Sequence, residues 1–139
     1  MLVVAIIGIL ITLATAVYGG WRDRVDQHQA VTDIVTIAAS VGQYKLDYRD
    51  FPPDLAAVGK VAMLDPWKKP YQYVSHSDAM GNGKFRKDKN IVPINSDFDL
   101  WSNGKDGNSA SALTAKSSRD DIIRANDGGF VGPASTYDP

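Results

Sequence analysis

No charged residue occurs between Met1 and Trp21: the first is Arg22, and Met1 to Val17 (MLVVAIIGILITLATAV) is almost wholly aliphatic. A run of this kind has to leave water. A bilayer span needs about 20 predominantly apolar residues, with roughly 17 as the lower limit, so the segment predicts one membrane-spanning helix with Tyr18 and Trp21 at the interface. A cleaved secretory signal fits less well, because the run is longer than an apolar signal core of about 7 to 15 residues and no basic region precedes it.

The remainder of the chain is small. With 139 residues in all, the protein can form one folded domain beside this element, which excludes a multidomain enzyme. The formal net charge of -1 leaves no positive field for nucleic acid. Cysteine is absent, removing disulfides and zinc thiolate sites. All sixteen acids are Asp, with no Glu, a bias that favours caps, turns and hard-cation sites over helix interiors.

After Trp21, Val31, Ile34, Val35, Ala38, Val41, Tyr44 and Tyr48 recur three or four apart, while Arg22, Asp26, Gln29, Asp33 and Gln43 fall off that line. This is a helical period. No proline interrupts Met1 to Phe51, so one helix of about 45 residues, roughly 70 Å long, can run from lipid into water, with Gly19-Gly20 as its bend or loosened turn. Phe51-Pro52-Pro53 ends it. A short helix around Asp54 to Ala62, capped by Asp54, and a turn over Asp65 to Pro70 are expected next. Tyr71 to Val74 alternates like a half-buried strand, Gly81-Asn82-Gly83 marks a turn, and Ile91-Val92, Ile94 and Phe98 to Trp101 suggest further short strands. By composition Ser102 to Pro139 reads as loop, and loops longer than about 15 residues in compact domains are usually functional or disordered.

The order of the parts is informative: Val3-Val4-Ala5-Ile6-Ile7-Gly8-Ile9-Leu10, an amphipathic continuation, Phe51-Pro52, Asp65-Pro66-Trp67-x-x-Pro70-Tyr71-x-Tyr73, and Phe98-Asp99-Leu100-Trp101-Ser102-x-Gly104-x-Asp106-Gly107. This pattern resembles the type IV pilin superfamily, and within it the major pseudopilins of type II secretion systems, the G-type subunits. The resemblance covers nearly the whole chain. It implies an α+β, pilin-like fold in which a long hydrophobic and amphipathic helix packs on a small antiparallel sheet followed by a C-terminal loop region. Residues 1–21 would be the transmembrane half of the helix, 22–50 its amphipathic half, and 51–139 a periplasmic globular head. The implied place is the inner membrane, single-pass, before assembly into a periplasmic filament. Implied partners are further copies of the chain, minor pseudopilins, an inner-membrane platform and a secretion ATPase. Pilin precursors carry a basic leader, a Gly-Phe cleavage site and a Glu five residues into the mature chain. This sequence opens inside the aliphatic block, so the expectation is a start lying upstream, processed by a prepilin peptidase.

The resemblance also implies calcium. In G-type subunits a carbonyl and an Asp of the Ser-x-Gly-x-Asp block join carboxylates from a later turn, which maps here to the Asn103 carbonyl, Asp106, the Ser118 carbonyl, Asp120 and Asp121. Gly107 to Ser117 makes the intervening segment longer than usual, and Arg119 stands among the ligands. Three carboxylates with carbonyls suit a cation that takes six to eight oxygens. The alternative is that Asp106 caps a turn and Asp120-Asp121 opens a short helix through Ile122 and Ile123. Asp97-x-Asp99 is no EF-hand, lacking the sixth-place glycine and the closing Glu, and its acids are expected at a strand edge or turn.

Trp67, Tyr71 and Tyr73 are expected to anchor a loop against the long helix. Lys84, Arg86, Lys87 and Lys89 read as a solvated turn, with salt bridges between subunits as the lesser option. His28 and His76 lie near no nucleophile motif, so no Ser-His-Asp chemistry and no enzyme activity are expected. The leading function is therefore a structural filament subunit that promotes protein export. The alternatives are a type IV pilin for adhesion, motility or DNA uptake, against which the missing cysteine pair counts, and a membrane-anchored calcium-dependent binding module.

Overall fold

The computed structural model describes residues 2–77 and 85–139. The expected Gly81-Asn82-Gly83 turn and Lys84 lie outside the described residues. One helix, α1 (Leu2–Tyr48), precedes four short strands, β1 (Gln72–Ser75), β2 (Phe98–Ser102), β3 (Ile122–Ala125) and β4 (Phe130–Pro133). The strands pair in chain order, each antiparallel to the next, as an antiparallel meander. Tyr73 opposes Leu100, Ile122 opposes both Ser102 and Pro133, and Arg124 opposes Val131. The α+β, pilin-like arrangement is as expected.

Helix α1 continues through Gly19-Gly20 without a break. Its second half covers one face of the sheet through Ala30, Ile34, Ile37 and Val41, all fully buried. That line is rotated from the one read in the sequence. Val35 and Tyr48 are exposed, because the sheet is narrow and takes only the strip nearest Ile34. Asp33, expected in solvent, is buried and accepts the Tyr71 hydroxyl at 2.8 Å. The same apolar cluster contains Leu55, Tyr71, Phe98, Leu100 and Ile122. The opposite face carries a second cluster of Ile94, Leu113, Ile123, Ala125, Ala134 and Tyr137. Alternation along β3 divides Ile122 from Ile123 and Ala125, as a strand requires.

Three other expectations fail locally. Asp54 does accept the Ala56 and Ala57 amides, but the chain turns at Gly59 (φ +68°) and no helix propagates. Ile91 to Ile94 forms no strand; Ile91 makes only an isolated bridge to Asp88. Ser102 to Pro139 is not all loop, since β3 and β4 complete the sheet. Each has only four residues, too few to show a period against a Gly- and Ser-rich background.

Candidate functional site

Two surfaces stand out in this fold: the uncovered half of α1, and the loop cluster beyond β2. Along α1, the apolar side chains of Val3, Val4, Ile6, Ile7, Ile9, Leu10, Ile11 and Leu13 are 48–71% exposed. The helix is long and apolar enough to cross a bilayer. A contiguous apolar rod of this size marks contact with lipid or with other protein.

The loop cluster begins with Asp65. Its Oδ1 accepts the Trp67 and Lys69 amides and its Oδ2 accepts the Ser102 hydroxyl at 2.5 Å. One buried carboxylate thus shapes the turn over 65–70 and ties it to the end of β2. Tyr71 reaches Asp33, Tyr73 donates to the Pro52 carbonyl at 2.9 Å, and Trp67 packs against the helix-side cluster. The three aromatics are anchors, as expected. Burial first, then the hydrogen bond and charge of Asp33, push the Tyr71 hydroxyl far above the usual tyrosine range; its ionisation would oppose the Asp33 contact.

From β2 the chain enters the 103–107 turn. Gly104 has φ +63°, and a Cβ there would collide with the Asp120 carbonyl oxygen. Only glycine permits that approach. The Lys69 ammonium donates to the Gly104 and Lys105 carbonyls at 3.2 and 3.0 Å. Lys105 in turn pairs with Asp23 of α1 at 2.9 Å.

Of the five residues expected to hold calcium, the structure brings some together. Asp106 and Asp120 meet: the Asp106 amide donates to Asp120 Oδ2 at 3.0 Å. Both line a cavity of about 330 Å³ with Asp23, Gln27, Trp67 and Lys105. The Asn103 carbonyl accepts the Gly107 amide at 3.2 Å, and the Ser118 carbonyl accepts the Asp121 amide at 3.3 Å. Asp106 also accepts the Asn108 amide, the turn-capping role weighed against the metal. Asp121 does not join the pair. It is fully buried at the start of β3, where its Oδ2 accepts Arg86 at 2.6 Å and the Ser109 hydroxyl at 2.5 Å, while Oδ1 lacks a hydrogen-bond partner. It opens a strand, not the short helix also considered. Among the described residues, no three His or Asp side chains gather closely enough to hold a metal ion. Of the three expected carboxylates, Asp106 and Asp120 line the cavity and Asp121 is not among its lining residues.

The charges behind this loop depart from the sequence expectation. Arg86 is 2% exposed, not solvated, and Asp99 is fully buried, not at an edge. Asp99 accepts the Arg86 amide and the Asn95 side chain, both at 2.8 Å, and lies 3.4 Å from His76. Asp97 pairs with Arg124 at 2.7 Å, whose guanidinium also lies over the Phe98 ring. Burial drives the Asp121 carboxyl up and the Arg86 guanidinium down, while their contact opposes both shifts. The contact favours the charged form of both groups, and the Ser109 bond that of Asp121. Sequence reasoning missed Arg86, Lys69 and Ser109. Asp33 carried a signal, standing beside Ile34 in an apolar stretch.

No family model matches the chain, and no solved structure matches it. Curated relatives do. The chain is 34% identical to the type II secretion system core protein G of Vibrio cholerae over 98 residues, 56% of this chain and 67% of that one. It is 30% identical to the protein of the same name from Aeromonas hydrophila over 128 residues, 77% of this chain and 78% of that one. For the Klebsiella michiganensis protein of that name the identity is 27%, over 77% of this chain and 79% of the other. With the long helix, the four-stranded meander and the loop block after β2 in the order expected, the chain belongs to the family of type II secretion system core protein G, the major pseudopilins.

Proposed function

We propose that this pseudopilin serves type II secretion by polymerising, with residues 2–21 first seated in the inner membrane and then bundled with the same segment of other copies along a periplasmic filament. One observation carries the mechanism. The two halves of α1 differ in cover: the strip of Ala30, Ile34, Ile37 and Val41 is sealed by the head, while the apolar side chains from Val3 to Leu13 have no cover among the described residues. A helix satisfies its own backbone, so passing from lipid to a helix bundle exchanges one apolar surrounding for another. A repeated contact between unlike faces of successive copies does not close and gives an open fibre. The platform and ATPase expected from the resemblance would insert subunits at the base, and the rigid heads would transmit the push. The chain's part is mechanical, and no catalytic role is assigned to it.

For calcium the proposal narrows to Asp106 and Asp120 with the carbonyls of Asn103 and Ser118. A bound calcium would supply a hard positive charge between the two carboxylates.

The test uses the full chain in a strain lacking its major pseudopilin. Because the sequence has no cysteine, cysteines placed at Ile7 and Leu10 report only designed contacts. Oxidation should give a ladder of cross-linked oligomers, and Ile9→Lys should abolish both ladder and export, since a charge at mid-span costs about 2.5–3.5 kcal/mol in lipid. Monomers alone, or full export by Ile9→Lys, would refute polymerisation through this segment. Lost twitching with intact export would assign the filament to a pilus instead.

A further inference from the structure

We infer that in this chain the loop region beyond β2 is fastened by side-chain cations, Arg86 above all, in the place where the family resemblance puts a metal. The bonding of one buried guanidinium carries the inference. Arg86 Nη1 donates to the Ser109 hydroxyl at 2.6 Å and the Ala110 carbonyl at 2.8 Å, and Nη2 donates to Asp121 Oδ2 at 2.6 Å. Ser109 completes the triangle by donating to the same Asp121 oxygen. One cation thus joins both ends of the 107–121 segment, the connection a calcium shared by Asp106 and Asp121 would make.

The backbone follows the side chain. The Lys87 amide donates to the Ser111 carbonyl and the Leu113 amide to the Lys87 carbonyl, both at 2.9 Å. The Ser118 hydroxyl both accepts from and donates to Ala110. Trp101 closes the outer side, with its ring 4.8 Å from the guanidinium carbon. The other half of the loop has a cation of its own in the Lys69 ammonium, seated on the Gly104 and Lys105 carbonyls. A planar fork suits the Arg86 position, because it must serve a hydroxyl, a carbonyl and a carboxylate in fixed directions. With Asp121 Oδ2 taken by Arg86 and Ser109, metal at Asp106 and Asp120 becomes an addition at the rim. The order of the loop does not depend on it.

Amide exchange in the full chain, held in detergent micelles, tests this with excess calcium and with excess EDTA. The amides of Ala110 and Leu113, bonded to Ser118 and Lys87, should be equally protected in both. Arg86→Met should speed their exchange by about tenfold or more in either condition, as expected for losing hydrogen bonds to charged partners. If Arg86→Met does not fold, Ser109→Ala removes one arm of the triangle. It should speed exchange at Ala110 while leaving the helical amides of Ile34 and Ile37 in α1 unchanged. Exposure of the wild-type loop by EDTA, or unchanged protection in the folded Arg86 or Ser109 variant, would overturn the inference. The inference rests on the pseudopilin reading only for where a metal is expected. Failed export would count against that reading and leave the exchange result standing.

Discussion

On one face of the sheet, Phe98, Leu100 and Ile122 meet Ala30, Ile34, Ile37 and Val41 of α1. On the other, Ile123 and Ala125 meet Ile94, Leu113, Ala134 and Tyr137, which arrive from separate loops. The helix brings four apolar residues on one rigid strip, so burial does most of the seating. Loops bring isolated apolar residues on backbone whose amides still need partners. That side accordingly contains the Arg86–Asp121 pair, Asp99 with Asn95, and the Ser118–Ala110 bonds. Where no regular element covers a sheet, directional polar bonds set the geometry that a helix would otherwise impose.

The comparison can be broken most forcefully at the loop side. Asp121→Ala strands a buried guanidinium and should cost about 3–5 kcal/mol, the usual penalty for removing half of a buried ion pair; chemical denaturation of the full chain measures it. On the helix side, Ile34→Ala should cost about 2–5 kcal/mol by leaving a cavity, and a smaller volume-conserving change, Ile34→Leu, should restore most of it. If Asp121→Ala were the milder of the two, the contrast between the faces would fail.

A single polar bond sharpens the apolar side. Tyr71→Phe removes the hydroxyl bonded to Asp33 and should cost about 1.5–3 kcal/mol near neutral pH. Because folding raises the Tyr71 pKa, its contribution is fully present below the unfolded value of about 10 and declines as pH rises above it. Melts across that range should show the wild type losing stability faster than Tyr71→Phe, with a residual decline from Tyr137, whose hydroxyl burial also pushes up. Parallel curves would remove the claim. The smallest expected effect is at the rim: calcium should raise the melting temperature slightly over EDTA, and Asp106→Ala should abolish that increment.

Much of the fold was legible because periodicity and proline act locally. The uninterrupted run to Tyr48 and the stop at Phe51-Pro52 are visible in the sequence, as is the turn shaped by Asp65. The candidate site was legible only in part. Asp106 and Asp120 line one cavity, but nothing in Arg86-Lys87-Asp88-Lys89 distinguishes the exposed Lys89 from the buried Arg86. Its partners, Ser109 and Asp121, are 23 and 35 residues away.

The sequence alone determined that an apolar segment must leave water and that a helix must carry it, since both follow from side-chain transfer and spacing along one chain. Tertiary structure decided which strip of that helix is sealed, that two four-residue strands lie within a polar tail, and that Asp121 faces an arginine. Those outcomes depend on which distant groups share a low-dielectric space, where a charge must find its partner.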